Sequence, residues 1–237
     1  METSIIIRTK NEERYLEQVL KKLKEQTYQN FEIIIVDDNS TDRTIEIAQK
    51  YNCEIINIPR GKFTHPYSCN LGAEKAQGRY IVYLNGHSIP ISQEWLEHGI
   101  KNFEDKKVAG VYAMIIAHKD GTLTDKLIYN LVGYTIGMFR RELTDVGIGL
   151  LGTTNAIIRK DLWETYNFPE VNDGFGGEDA AWALHFMKQG YKIVHDPKFK
   201  VRHSHHLKMK DFFWQRKNWK QMKAEGGGKP KKQRKNF

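Results

Sequence analysis

Residues 31–42 read FEIIIVDDNSTD. Ile33, Ile34, Ile35 and Val36 are β-branched without interruption and too few to make a helix. A run of this kind fits a strand buried on both faces, as strands of parallel sheets are. Asp37 and Asp38 close it. Asn39-Ser40-Thr41-Asp42 then supplies turn formers and helix N-caps ahead of a helix-like stretch, Thr44–Tyr51. In open α/β sheets, ligands bind beyond the carboxyl ends of the strands. Two acids placed there can accept hydrogen bonds from a nucleobase or a ribose. They equally suit a capped turn in which both are solvated and favour the helix start through its dipole.

The flanking sequence continues the same alternation. Ser4–Arg8 reads as a strand, and Arg14–Gln26 carries Tyr15, Leu16, Val19, Leu20 and Leu23 at helical spacing. After the 41–51 helix come a strand at Glu54–Ile58, a break at Pro59-Arg60-Gly61, a helix at Tyr67–Gln77 with Gly78 as its C-cap, and a strand at Tyr80–Leu84. Strand and helix in turn predict an α/β chain with a parallel, doubly wound sheet. The second half is less regular. Helices are expected at Gln93–Phe103, Glu178–Gln189 and Met209–Ala224, and strands at Val108–Ala117, Ala156–Arg159, Tyr191–His195 and Lys200–His203. Leu123–Phe139 has no definite shape, residues 147–152 read as a loop, and no internal repeat is found.

Two hundred and thirty-seven residues with 40% hydrophobic content suit one sizeable core. No apolar run approaches the roughly 20 residues of a membrane span. The start, METSIIIRTKNEER, lacks the layout of a signal peptide. Cys53 and Cys69 form no framework, so a reducing, cytoplasmic setting is expected. The net charge of +8 is uneven: residues 207–237 hold eleven Lys/Arg against Asp211 and Glu225, which leaves residues 1–206 close to neutral. A nucleic-acid-binding fold would carry its basic charge on the body, so nucleic acid is not an expected partner.

Taken in order, SIIIRTKNEERYL, IIIVDDNSTDRT, NLGAEKAQGRYIVYLNGHSIP, GTTNAIIRKDLW and GFGGEDAAWALHFMKQGYKIVHDP resemble the motifs of family 2 glycosyltransferases, which have the GT-A fold. The likeness spans about residues 4–206, and RTKNE with GEDAAWA is most similar to the rhamnosyltransferase-like branch. It implies a Rossmann-like, mostly parallel sheet flanked by helices, with a smaller mixed region on the acceptor side. The expected organisation is a catalytic domain over residues 1–206 (a nucleotide-binding half, 1–90, and an acceptor half, 91–206), a basic aromatic helix over 207–225 and a disordered basic tail over 226–237. The implied reaction is inverting, non-processive transfer of a sugar from a nucleotide-diphosphate donor to an acceptor hydroxyl, in the synthesis of cell-surface glycan or glycolipid. A non-catalytic relative that only binds nucleotide sugar is the alternative.

The resemblance also assigns roles. Arg8, Thr9, Asn11, Glu12 and Asp38 would grip the nucleoside, Asp37 would contact it or brace the strand end, and Lys62 and Asn70 would approach the phosphates. The family usually has proline at Arg8 and Asp-x-Asp after the fourth strand, where this chain has Asn85-Gly86-His87. A divalent cation, Mn²⁺ or Mg²⁺, is implied on the diphosphate. Loss of both acids disfavours Mg²⁺, whereas His87 can ligate Mn²⁺ or donate to a phosphate with no metal. His203 or His205 would reach the same place. Asp179 would be the general base for the acceptor hydroxyl, with Glu178 orienting the acceptor or the loop.

Gln215-Arg216-Lys217-Asn218-Trp219 approaches the Gln-x-x-Arg-Trp motif of processive members but lacks its arginine. Aromatics among lysines there suit either packing onto the domain or an anionic membrane surface. The expected partners are thus a nucleotide-diphosphate sugar, a glycan or lipid-linked acceptor, and a membrane met peripherally on its inner face.

Overall fold

Ile5, Ile6 and Ile7 are fully buried, and alternate side chains of their strand point into different cores. In the computed structural model, which describes residues 1–143, 151–171, 176–206 and 209, this strand is β1 (Thr3–Thr9). It is followed by α1 (Leu16–Lys24), β2 (Phe31–Asp37), α2 (Thr44–Lys50), β3 (Glu54–Asn57), α3 (His65–Lys75) and β4 (Tyr80–Asn85). The strands of this half run parallel, with Ile6 facing Ile34 of β2 and Tyr83 of β4. One core joins Ile6, Ile34, Ile81 and Tyr83 to Ala73 and Trp182. The other joins Ile5, Ile7, Ile35 and Val82 to Leu16, Leu20 and Trp95. The β-branched runs are therefore two-sided, as a covered parallel sheet requires.

The second half contains β5 (Ile89–Pro90), α4 (Trp95–Lys101), β6 (Val108–Tyr112), α5 (Leu123–Asp125), a π-helical turn (Lys126–Asn130), α6 (Leu131–Tyr134) and β7 (Arg141–Leu143). After it come β8 (Asn155–Arg159), α7 (Lys160–Thr165), α8 (Glu178–Met187), β9 (Lys192–His195) and β10 (Val201–Arg202). Among the described residues the main sheet has the order β3-β2-β1-β4-β8-β6-β9-β7. It is mixed beyond β4, because β8 runs antiparallel to both β4 and β6. The mostly parallel sheet with a smaller mixed region in the second half is the arrangement the resemblance implies, and β6 and β9 are again parallel.

Several boundaries differ for local reasons. Helix α3 begins at His65, two residues ahead of the expected Tyr67, because the Thr64 side chain accepts from Tyr67 N at 3.0 Å and Pro66 suits the first turn. It ends before Gly78, which is no C-cap: a Cβ there would lie 2.6 Å from Ser4 N, so this glycine lets the chain pass against β1. Strand β6 stops at Tyr112 and not at Ala117. β10 pairs with β5 outside the main sheet, and this turns His203 inward. The expected helix at Met209–Ala224, the segment Gln215–Trp219 and the tail lie outside the described residues, Met209 excepted.

Candidate functional site

The carboxyl ends of β1, β2 and β4 meet along one edge of the sheet, and the candidate residues gather there. Asp37 is buried and fully engaged. Its carboxylate accepts from Thr9 Oγ1 (2.8 Å), Ser40 N (2.7 Å) and Ser40 Oγ (2.5 Å). Asp37 and Thr9 thus brace the β2 turn. Asn11 has φ 54°, and its side-chain oxygen accepts from Thr41 N at 2.8 Å, so it holds the first loop to the second. Asp38 remains partly open, with Lys10 Nζ at 3.5 Å. Beside it Lys10, Asn39, Thr41, Arg60, Gly61 and Phe63 line an open hollow of about 450 Å³. Arg60 and Phe63 were not singled out from the sequence. An aromatic and a cation after a Pro-Arg-Gly break were the available signal. Lys62 is exposed on the same loop.

Two candidates take other roles. Asn70 donates to Phe168 O (2.8 Å) and accepts from Trp163 Nε1 (3.0 Å) and Phe168 N (3.1 Å). Its amide is spent tying α3 to the segment after α7, so it is withdrawn as a phosphate contact. Glu12 does not face the hollow. Its Oε1 accepts from His87 Nδ1 at 2.7 Å, and its side chain fills the space over Gly86, where a Cβ would lie 2.6 Å from Glu12 Cγ.

Arg8 is the hub of the edge. Although 8% exposed, it donates through Nη2 to Asn85 Oδ1 (2.8 Å), Thr153 O (3.1 Å) and Thr153 Oγ1 (3.2 Å), and Nη1 lies 3.4 Å from His65 Nδ1. Asn85 is therefore held by a guanidinium. Thr153 N in turn donates to Asp179 Oδ2 at 3.4 Å, and Ala180 N to Asp179 Oδ1 at 2.7 Å. Asp179 stands in the first turn of α8, after Gly177 at φ 93°. Burial, then the charge of Glu178, pushes its carboxyl up to about 7, against the backbone N–H groups and Arg8, which lower it. Glu178 is 2% exposed and its Oε2 has no partner among the described residues. Burial raises its pKa as well. From that position the charge of Glu178 bears on Asp179.

A histidine cluster adjoins this hub. Ligand nitrogens of His87, His203 and His205 lie within 4.8 Å of one another. His203 Nδ1 is 3.2 Å from Ser88 Oγ, and the Nε2 atoms of His203 and His205 are 3.0 Å apart. His87 Nε2 is buried without a partner among the described residues, while Nδ1–H is held by Glu12. A carboxylate on the far nitrogen orients a metal-ligating imidazole and leaves the near nitrogen as the free acceptor. Burial and neighbouring imidazoles hold His203 well below the usual histidine range and His205 at about 4, so both are neutral near pH 7. Three imidazoles within reach of one another, one of them with an orphaned nitrogen, fit a divalent transition metal, and they disfavour Mg²⁺, which requires oxygen.

The chain matches the family described as glycosyl transferase family 2 over residues 4–166. It is 30% identical over 213 residues to a dolichyl N-acetyl-α-D-glucosaminyl phosphate 3-β-D-2,3-diacetamido-2,3-dideoxy-β-D-glucuronosyltransferase of Methanococcus voltae, covering 82% of this chain and 64% of that one. It is 30% identical over 188 residues to an O-antigen chain rhamnosyltransferase of Salmonella anatum, covering 77% and 59%. The chain thus spans about three fifths of the length of these relatives. Among solved structures, a mannosyltransferase of Pyrobaculum calidifontis in complex with GDP-mannose and Mn²⁺ superposes with a TM-score of 0.71 at 18% identity, over 97% of this chain and 66% of that one. The architecture is that of GT-A glycosyltransferases.

Proposed function

The chain belongs to glycosyl transferase family 2, and on that premise we propose that it moves a sugar from a nucleotide-diphosphate donor to an acceptor hydroxyl with inversion, one sugar at a time. The observation that carries the reading is the continuous contact path from Asp38, whose N–H donates to Thr9 O, through Arg8 and Thr153 to Asp179. Donor-gripping groups and a base share one edge of the sheet. Asp38 would accept from the base or ribose, with Phe63 and Arg60 lining the same hollow. The buried Arg8 guanidinium would offset the charge of the leaving diphosphate. Asp179 would take the proton of the acceptor hydroxyl while the acceptor oxygen attacks the anomeric carbon and the bond from that carbon to the nucleotide diphosphate breaks on the opposite face, so no covalent intermediate with the chain is needed.

His87, His203 and His205 would hold a divalent ion, with Glu12 fixing His87. When bound, such an ion supplies further positive charge for the diphosphate. The relative from Methanococcus voltae is named for a lipid-phosphate-linked sugar acceptor and that from Salmonella anatum for O-antigen chain synthesis. We assign this chain the same broad class of acceptor, a growing surface glycan or its lipid-linked precursor. The raised pKa of Asp179 favours catalysis over nucleotide-sugar binding alone, because a carboxylate near neutrality is matched to proton abstraction.

The test is a thermal-shift screen of nucleotide diphosphates and their sugars, with and without Mn²⁺, followed by sugar transfer from whichever donor binds. Asp179→Asn is expected to lose roughly 10²–10⁴-fold in transfer while binding the donor as before. Full turnover in that variant would remove Asp179 as the base, and binding without any transfer by the unaltered chain would favour the non-catalytic alternative.

A further inference from the structure

The segment between β6 and β7 presents an apolar face that no other described residue covers. Leu123, Leu127, Leu131, Tyr134 and Met138 recur at intervals of three and four, and with Phe139 they are 51–73% exposed. The opposite face is anchored. Asn130 Oδ1 accepts from Ala117 N (3.0 Å), Gly133 O accepts from Lys200 Nζ (2.7 Å), and a Cβ on Gly133 would meet Ile116 at 2.6 Å. The exposed face is thus a ridge held in place from behind by described residues. Soluble monomers rarely show so continuous a patch unless it meets something.

We infer that this ridge enters the interfacial layer of an anionic lipid bilayer. Charge argues for that occupant. From Gly121 to Phe139 the Asp, Glu, Lys and Arg residues are Asp125 and Lys126 alone. Asp125 is buried in a capping box with Thr122, and Lys126 is exposed. Exposed Lys119 precedes the ridge and exposed Arg140 and Arg141 follow it; of the acids beside them, Asp120 is paired with Arg14 and Glu142 with Arg140. The basic part of the chain departs from the same corner: His206 bonds Tyr15 OH at 2.8 Å, and that hydroxyl also donates to Asp120, two residues before the Thr122 cap. Residues 207–237 then carry a surplus of nine positive charges. Exposed aliphatic side chains along one face, aromatics at one end and cations near it are the pattern of helices that lie in a membrane surface. Each nearby cation adds attraction to anionic headgroups. The inference rests on this exposure and charge and not on sugar transfer.

The experiment is co-sedimentation of the purified full chain with phosphatidylcholine vesicles, with and without phosphatidylglycerol. It needs no turnover, so its failure and that of the proposed reaction are separate events. The chain should bind the anionic vesicles and bind the neutral ones weakly. Leu127→Glu with Leu131→Glu should weaken anionic binding by about tenfold or more at an unchanged melting temperature. Should that pair fail to fold, Leu127→Ala with Leu131→Ala should give a smaller loss in the same direction. Unchanged binding by the variants would assign all attraction to the basic residues and overturn the ridge. So would a wild-type chain that ignores both vesicles, or variants that alter the oligomeric state on gel filtration and leave vesicle binding intact.

Discussion

Asp179 combines two opposed influences. Helix N-termini stabilise carboxylates, yet burial and Glu178 outweigh that and raise its pKa. Only the ionised form takes a proton, so transfer should rise with pH through a midpoint near neutrality, well above the ordinary value of about 3.9. Glu178 and Arg8 are the charged groups facing it. An initial-rate profile already flat from pH 5 would contradict this. Because the folded state binds this proton more tightly than the unfolded state, the resulting stability is present at low pH and lost as pH rises through the folded pKa. Asp179→Asn should therefore melt higher than wild type at pH 8, with the gap narrowing towards pH 5. Asn70 is the contrasting residue. Asn70→Ala should cost about 1–3 kcal/mol by stranding Phe168 and Trp163 groups, measured by denaturant unfolding, with donor affinity unchanged. Asp179 was legible in sequence because it sits at a motif. The engagement of Asn70 was not, since Trp163 and Phe168 are remote in the chain.

At the scale of elements, strands β1, β2 and β4 follow directly from β-branched runs, because a two-sided strand needs apolar side chains at every position. Helix ends were less legible, since a cap depends on one hydroxyl. Gly78 and Gly72 test how closely α3 and its exit pass the sheet. At Gly78 an added Cβ meets the backbone of Thr3 and Ser4, whereas at Gly72 it meets side-chain atoms of Ile6 and Val36. Gly78→Ala should cost at least the roughly 1–3 kcal/mol of ordinary overpacking, and more than Gly72→Ala, because side chains can turn away and paired backbone cannot. Equal unfolding midpoints would show that the chain at Gly78 shifts freely.

Across the whole molecule, the histidine cluster joins the loop after β4 to the segment after β10, so an ion held there would cross-link two distant parts of the chain. At a hundred times its dissociation constant such an ion adds about 2.7 kcal/mol to stability, or roughly 5–10 °C for a chain of this size. Melting temperature should rise with Mn²⁺ or Zn²⁺ and scarcely with Mg²⁺. His203→Ala should abolish the shift, and Glu12→Gln should weaken metal affinity by about 10–100-fold. A Mg²⁺ shift equal to that of Mn²⁺ would point to oxygen ligands in place of imidazoles.

The α/β character, the parallel first half and the edge formed by the carboxyl ends of β1, β2 and β4 follow from local pattern, since the two-residue and 3.6-residue periods are written in neighbouring side chains. Which acids are free and which are braced was decided by folding. Asp37 is consumed by Thr9 and Ser40, Glu12 is diverted to His87, and the 123–139 ridge is left uncovered among the described residues. Each outcome depends on partners brought together by strand order, and no local window of sequence contains that information.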